Sequence, residues 1–581
     1  MARIHQHPYT PLFLRSDVSF EMPRVFNSFS GDVSGRYIEL LSIAGQCGCA
    51  VPGLAEFAER LLTYQQPRGF FGAADAFDGT IDARETMIFW GNGRLLIGLM
   101  EYYQLSGDAA ILAAARRLVD FWVDLGAHRP GAAISPLVKA STGAIGFATT
   151  FCSCIEGVVR LYTTTGDKRY AGLAHGMAAL LPETFKNFHS HGRLTALRGM
   201  ADLAVATGDA RLMARVVRLW EKVAAEHVTC LGGVGEYFRA TCPCDEGCSI
   251  ADWVMLSLKL HAARGESRFL EAAEHGLLNH LLANQFENGG FGSQYFIFDA
   301  ALPGAKANNS PDVEAAGIIA GFGSQTLRSG SGFTEAYWCC SFHGPRAIFE
   351  AARYVATPSA TRRIDLDLFL PVDVAVDGVG LQIRPDPELR GCRITIARAP
   401  GHPVTLRLRV PVWSGVGAAR VQCFGASERV HRPGRDRKIA ITRTWQAGDV
   451  ISLDLNPDLH IRPGVVASQR KQARDRDALF IGPYIMGYDC SDCLLCGQAM
   501  PADSVPTVLL IKGSPGAPSG LTRDVIVEYS DPSRKRTIWV VRRLIPLHRR
   551  MHDQPLRTIH TVTSRAYAQL THAQREALAG A

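Results

Sequence analysis

Helical periodicity over residues 36 to 355, a recurring helix-stop signal within it, and strand-like alternation beyond residue 360 predict a mainly α (α/α)6 barrel followed by C-terminal all-β sandwich modules. Apolar residues recur at helical spacing in Ala109 to Leu125, Leu194 to Ala206 and Ala210 to Val223, with Gly or Pro mostly between such runs. The stop signals are Ser106-Gly107-Asp108, Thr165-Gly166-Asp167, Thr207-Gly208-Asp209 and Arg264-Gly265-Glu266. In each, the Gly suits a left-handed helix C-cap and the acid suits the first turn of the next helix, where it meets the positive end of the dipole. The four glycines are 59, 42 and 57 residues apart, about the length of a helix pair with its loops. Repeated helix pairs favour a toroid of hairpins with a central pocket; an irregular helical bundle is the alternative.

Strands follow in Asp365 to Leu370, Val404 to Val410, Val450 to Leu455 and Thr537 to Leu544, separated by Gly and Pro turns, the pattern of a β-sandwich. The tail from Ala566 to Ala581 reads as a short helix or a frayed end. The division expected is a catalytic barrel over 1–355, a β-sandwich over 356–465, and a β-rich module with a helical tail over 466–581.

Hydrophobic residues make up 47% and charged residues 20% of the 581, a globular composition without low-complexity tracts. The net charge of +7 is small for this length and forms no Lys/Arg stripe interleaved with aromatics, which argues against nucleic-acid binding. No apolar run of about twenty residues is long enough to span a bilayer. The segment Met1 to Pro8 lacks the basic-then-apolar pattern of a signal peptide, so a soluble cytoplasmic protein is expected.

The chemistry concentrates on cysteine. Cys339 and Cys340 are adjacent, a placement unsuited to a mutual disulfide but suited to sharing one metal, and Cys242, Cys244 and Cys248 cluster about ninety residues earlier with Asp245 and Glu246. Glu246, Cys248, Cys339 and Cys340 would supply three sulfurs and a carboxylate to a tetrahedral Zn2+, with Cys242 and Cys244 as competing ligands. A zinc-bound cysteine is also a potential nucleophile. A purely structural zinc, or buried cysteines without metal, would leave the same spacing. Cys490, Cys493 and Cys496 form a further C-x-x-C-x-x-C group that could bind a metal, oxidise, or be incidental. Glu236, in the Gly-rich stretch Gly232 to Phe238, is a candidate general acid/base because a carboxyl beside aromatics can keep a raised pKa; a lone loop Glu is otherwise solvated.

Taken in order, Gly235-Glu236-Tyr237-Phe238, Glu246-Gly247-Cys248 and Cys339-Cys340, followed by a β-rich region, resemble glycoside hydrolase family 127, the β-L-arabinofuranosidase-like proteins. The likeness extends to the strand Leu406-Arg407-Leu408-Arg409-Val410-Pro411-Val412-Trp413 and the turn Arg443-Thr444-Trp445-Gln446-Ala447-Gly448-Asp449. The resemblance implies Cys339 as nucleophile, Glu236 as acid/base, and Glu246, Cys248, Cys339 and Cys340 as zinc ligands. It also implies a retaining hydrolase that releases a terminal furanosyl sugar, β-L-arabinofuranose foremost, from a small oligosaccharide or glycoconjugate. Trp90, Asn92, His189, His191, Tyr337 and Trp338 are candidate sugar contacts, since sugar pockets use aromatic faces with His and Asn hydrogen bonds; most such residues serve instead in core or surface. A homodimer is compatible with the sequence. Two other function classes stay open from the residues alone: a non-catalytic carbohydrate-binding or scaffold protein with a structural zinc, and another helical-barrel carbohydrate enzyme such as a lyase or epimerase.

Overall fold

In a computed structural model, the described residues are 14, 17–18, 31–72, 83–128, 147–184, 188–229, 231–238, 246–282, 284, 292–294, 334–336, 338–386, 391–414, 418–422, 429–455, 457, 459–462, 478–489, 507–512, 523–531, 536–546 and 559–561. They fall into two compact units. The first comprises Met1–Glu266, Asn284–Phe349 and Ala467–Lys471, and the second Ser267–Ala283, Glu350–Val466 and Gln472–Ala581. The segment Ser267–Ala283, inside the stretch that sequence spacing assigns to the barrel, thus groups with the β-rich unit.

The first unit is helical: α1 (Asp32–Gln46), α2 (Leu54–Leu62), α3 (Ala83–Ser106), α4 (Ala109–His128), α5 (Phe147–Cys152), α6 (Ile155–Thr165), α7 (Lys168–Leu180), α8 (Ser190–Thr207), α9 (Ala210–Glu226) and α10 (Gly247–Arg264). After α11 (Ser267–His275) come two short paired strands, β1 (Gly292–Gln294) and β2 (Thr334–Ala336), and then α12 (Trp338–Arg353). The glycines of the recurring stop signals act as read from sequence, while the acids Asp167 and Asp209 sit one position earlier than the first turn, as N-caps. Gly107, Gly166, Gly208 and Gly265 take φ between 68° and 71°, and Asp167 and Asp209 then cap the next helix through Arg169 N and Leu212 N.

Two kinds of helix alternate. In α9 only a stripe is buried, Leu212, Met213, Val216, Leu219, Trp220 and Val223, as expected of an outer helix with one face to solvent. In α8 and α10 every residue over 190–201 and 247–258 is buried, so these helices are enclosed on all sides. Such inner helices follow one another around a ring. α1 packs on α3, α3 on α6, α6 on α8, and α8 on α10. Cys340 of α12 meets Cys248 of α10, while Phe342 and Arg346 of α12 meet Tyr37 and Glu39 of α1, which closes an inner ring of six. The α1–α3 contact depends on glycine: a Cβ on Gly35 would stand 2.4 Å from the Arg94 carbonyl carbon, and one on Gly98 2.5 Å from the Gly35 oxygen. That close approach brings the side chains of Arg36 and Arg94 onto one histidine.

The second unit is built on β-sheet. A six-stranded sheet runs β10 (Arg429–His431), β9 (Ala418–Gln422), β12 (Val450–Asp454), β7 (Gly391–Arg398), β6 (Val379–Pro385), β5 (Val372–Val376). A four-stranded sheet runs β11 (Lys438–Thr444), β8 (Pro403–Arg409), β4 (Arg363–Leu366), β3 (Ala356–Ala360), with β4 and β8 parallel. Alternate residues of the strands are buried, Leu381, Ile383, Ile394 and Ile396 from one sheet and Leu406, Leu408, Ile439 and Ile441 from the other, as a sandwich requires. A further seven-stranded sheet contains β13 to β19 between Leu459 and Thr561.

Both sandwich motifs singled out in the sequence are structural. In the turn after β11, Trp445 is buried and donates to Val404 O, Gly448 takes φ 90°, and Asp449 accepts from Gln446 N at 3.0 Å. At the end of β8, Arg409 grips both oxygens of Glu274 at 2.9 and 3.1 Å and Trp413 Nε1 donates to the same carboxylate at 2.9 Å. All three side chains are buried, so Glu274→Ala, which strands the guanidinium, is expected to destabilise this unit by ~3–5 kcal/mol. A shift of under about 1 kcal/mol in chemical denaturation would show that the pair contributes little.

Candidate active site

Two helix N-termini carry the cysteine chemistry. Glu246 directly precedes α10 in an extended conformation, Cys248 lies in the first turn of α10, and Cys339 and Cys340 lie in the first turn of α12. One donor atom from each of the four residues falls within 4.8 Å of the others. All three cysteines are free, with Sγ separations of 3.6 Å for Cys248–Cys340 and 3.8 Å for Cys339–Cys340. Sulfurs bound to one tetrahedral zinc at about 2.3 Å stand about 3.8 Å apart, so the thiols are already at the spacing a shared zinc requires. The donor set of three sulfurs and one carboxylate suits zinc rather than calcium or magnesium. Glu246 is aimed by its neighbours: Ser249 Oγ donates to Oε2 at 2.6 Å, and His189 Nε2 stands 3.1 Å from the same oxygen.

The four are not equivalent. Cys248 and Cys340 are fully buried and Glu246 nearly so, whereas Cys339 is partly accessible. Hydrogen bonds from Cys248 and Cys340, with Arg36 nearby and against the cost of burial, hold the Cys339 thiol well below the usual range. Burial pushes the thiols of Cys248 and Cys340 the other way. Cys339 is therefore both the thiol that its neighbours hold lowest and the cysteine with partial exposure.

Glu236 is held beside this centre by backbone. Ser190 N donates to Glu236 O at 2.9 Å, Phe238 N to Phe188 O at 2.9 Å, and His189 and Tyr237 form an antiparallel bridge. The ring of His189 packs against Tyr237 at 5.4 Å and Trp90 at 6.3 Å. Burial works against a cationic His189, but the carboxylates of Glu246 and Glu236 and the Cys339 sulfur outweigh it and raise the pKa. Glu236 thus lies within electrostatic reach of the ring that hydrogen-bonds a candidate metal ligand. On the far side of the loop, Phe238 packs on His227 at 4.6 Å.

His227 gives the loop a pH dependence. Burial, with Lys222 and Arg193 nearby, pushes its imidazole down to about 4. The unfolded chain binds the proton near pH 6.5, so this contribution to stability is complete above that pH and lost as pH falls toward 4, by up to ~3 kcal/mol. His227→Gln should flatten the dependence of the urea midpoint between about pH 7 and pH 4, and parallel profiles for variant and wild type would contradict this.

Beneath the thiols lies a polar network that sequence reading missed. Asp252, one turn after Cys248, bonds His191 Nδ1 at 2.5 Å, Thr195 Oγ1 at 2.8 Å, His343 Nε2 at 2.7 Å and Arg198. His343 is itself one turn after Cys339, so a single carboxylate pins together the two ligand-bearing helices. His191 Nε2 receives Arg36 Nη2 at 2.7 Å and Arg94 Nη2 at 2.8 Å. A guanidinium can only donate, so Nε2 is unprotonated and the proton sits on Nδ1, facing Asp252. Burial, with Arg94 and Arg36 adding to it against Asp252, holds His191 well below its usual pKa and therefore neutral. His191, Asp252 and His343 also form a second group with metal-ligand spacing, but Arg36 and Arg94 on His191 Nε2, Arg198 on Asp252, and Asp252 on His191 Nδ1 and His343 Nε2 already engage its donor atoms other than His343 Nδ1.

Of the candidate sugar contacts, His189 reaches the thiol cluster through Glu246, and Trp90 packs on His189 at 6.3 Å with Nε1 donating to Asp32 at 2.9 Å. Both ring nitrogens of His191 are engaged in the network just described. The Asn92 amide binds the backbone of Phe71 at 2.7 and 2.9 Å. Tyr337, the Trp338 side chain, Cys242, Cys244, Cys490, Cys493 and Cys496 lie outside the described residues. Among the described residues, no helix is long and apolar enough to cross a membrane.

Comparison with known proteins identifies a family and a shared fold. Residues 53–353 match the family model for the β-L-arabinofuranosidase GH127 catalytic domain, and residues 363–457 match that for the GH127 middle domain. A GH127 β-L-arabinofuranosidase from Geobacillus stearothermophilus T6, in its crystal structure, shares the fold with a TM-score of 0.67 and 16% identity over 96% of this chain and 97% of that one. A second structure, described as a GH127 β-arabinofuranosidase, gives a TM-score of 0.67 at 17% identity over 97% of this chain and 92% of that one. No curated protein matches the sequence.

Proposed function

Because the chain belongs to the GH127 family and is a glycoside hydrolase, we propose that it releases a terminal furanosyl sugar, β-L-arabinofuranose foremost, with retention, using Cys339 as nucleophile and Glu236 as acid/base. The observation that carries this reading is the inequality within the thiol cluster: Cys339 alone of the four candidate ligands is partly accessible, and its neighbours favour the thiolate.

Glu246, Cys248, Cys339 and Cys340 would hold a zinc ion, which would keep Cys339 ionised at neutral pH and make its sulfur a better leaving group. In the first step the Cys339 sulfur attacks the anomeric carbon as the glycosidic C–O bond breaks, and the Glu236 carboxyl gives its proton to the departing oxygen. The sugar is then joined to Cys339 through a C–S bond. In the second step the Glu236 carboxylate takes a proton from water as the water oxygen attacks the same carbon and the C–S bond breaks. Two displacements return the original anomeric configuration and restore both residues. His189 and Trp90 would line the sugar's side of the centre, His189 also holding Glu246 in place.

Glu236→Gln tests the acid/base role. On a β-L-arabinofuranoside with a poor leaving group, kcat/KM should fall ~10²–10⁴-fold, while an aryl furanoside whose phenol leaves without protonation should react far closer to the wild-type rate in the first step. An equal loss on both substrates would remove Glu236 from the proton transfer.

A further inference from the structure

We propose that Arg36 is a positioning residue of the thiolate centre: a buried cation that fixes Cys248 through an N–H···S hydrogen bond and offsets the negative charge of the ligand set. The proposal rests on the reading of Glu246, Cys248, Cys339 and Cys340 as a zinc site. Three thiolates and a carboxylate carry four negative charges, and a divalent ion leaves two of them uncompensated. Three of the four ligands are buried, where uncompensated charge is costly, so a nearby cation is needed.

Arg36 is placed to supply it. Only 2% of its surface is exposed, and all three of its guanidinium nitrogens are engaged. Nη1 donates to Cys248 Sγ at 3.5 Å, Nη2 to His191 Nε2 at 2.7 Å, and Nε to Asp32 Oδ1 at 3.1 Å. Asp32 lies one turn earlier on the same helix and is held in turn by Trp90. Through His191 the guanidinium also connects to Asp252, the carboxylate that pins α10 to α12. Arg36 therefore joins α1 to both the ligand sulfur and the network that sets the spacing of the ligand helices. A lysine could keep the charge but could not make three bonds in the plane of a guanidinium.

The test compares the full-length wild type with Arg36→Lys, the double variant Asp32→Asn/Arg36→Met and Cys340→Ala. The double variant removes both members of the Arg36–Asp32 pair together, so neither is left without the other, while Arg94, 3.9 Å from Asp32, keeps its bonds to His191 and Thr195. Two quantities are read: zinc retention against a chelator of known affinity, and the near-ultraviolet thiolate-to-metal charge-transfer band of the cobalt-substituted protein. The wild type should bind one zinc per chain and Cys340→Ala should lose it. The double variant should release zinc ~10–100-fold more readily, Arg36→Lys should fall between, and the cobalt band should shift in both. Wild-type affinity together with an unshifted band in the double variant would overturn the role of Arg36 and leave the zinc site standing; if the double variant does not fold, an unshifted band in Arg36→Lys overturns it. A wild type that takes up no zinc would instead overturn the reading beneath the proposal.

Discussion

Cys339→Ser is expected to lower kcat on an aryl β-L-arabinofuranoside by ~10⁴-fold or more, the scale seen when a nucleophile that works with its partners is removed. A serine hydroxyl ionises far less readily than a thiol, and the hydrogen bonds from Cys248 and Cys340 that favour the Cys339 thiolate would no longer meet a sulfur. The fold should survive, because Cys339 is the partly accessible member of the cluster and the change conserves most of its volume. A non-catalytic sugar binder would keep its sugar affinity in the same variant, so initial rates and ligand binding should be measured together. Activity within about tenfold of wild type would mean that another group attacks the sugar.

The second large effect falls on stability. Asp252→Ala should cost ~3–5 kcal/mol, since the carboxylate is fully buried and its removal takes one of the two carboxylates that hold Arg198, the other being Glu156, and leaves His191, His343 and Thr195 each short of a partner. Interactions with His191, His343 and Arg198 outweigh burial and hold the Asp252 carboxyl well below its usual range. Its contribution is therefore present above the unfolded-state pKa near 4 and lost only in stronger acid, so the loss in the variant should be complete at neutral pH. Urea unfolding followed by tryptophan fluorescence reads it, because the stacked Trp220 and Trp253 belong to the helical unit. A loss under about 1 kcal/mol would show that the network relaxes around the missing group.

The grouping of Glu246, Cys248, Cys339 and Cys340 was legible in the sequence because donors that share one centre need only short spacings on single turns of chain. Glu246 with Cys248, and Cys339 with Cys340, satisfy that locally. The helical unit was legible for a similar reason, since its stop signals repeat and each Gly takes the left-handed conformation that few other residues tolerate. The network beneath the thiols was not legible. Its members Arg36, Arg94, His191, Arg198, Asp252 and His343 come from five different helices, and a buried arginine reads in sequence like any surface one. One signal was available: Asp252 and His343 each follow a ligand cysteine by four residues, which places them on the same helix face as the sulfur. The candidate sugar contacts divided along the same line. His189 reaches the cluster through Glu246 and Trp90 packs on His189, but the side-chain polar atoms of His191 and Asn92 are turned to partners that no local pattern encodes.

The proposed chemistry has one intermediate that no rival reading shares, a furanosyl group joined to Cys339. Glu236→Gln should lengthen its life, since the water that breaks the C–S bond then lacks its base. The measurement is peptide mapping by mass spectrometry after Glu236→Gln protein is quenched in acid during turnover of an aryl β-L-arabinofuranoside. The expected result is a single pentosyl adduct on the peptide that contains Cys339, absent when Cys339 is also replaced by Ser. A pentosyl adduct on any other side chain, or steady release of the sugar with inverted configuration and no adduct, would contradict a cysteine nucleophile.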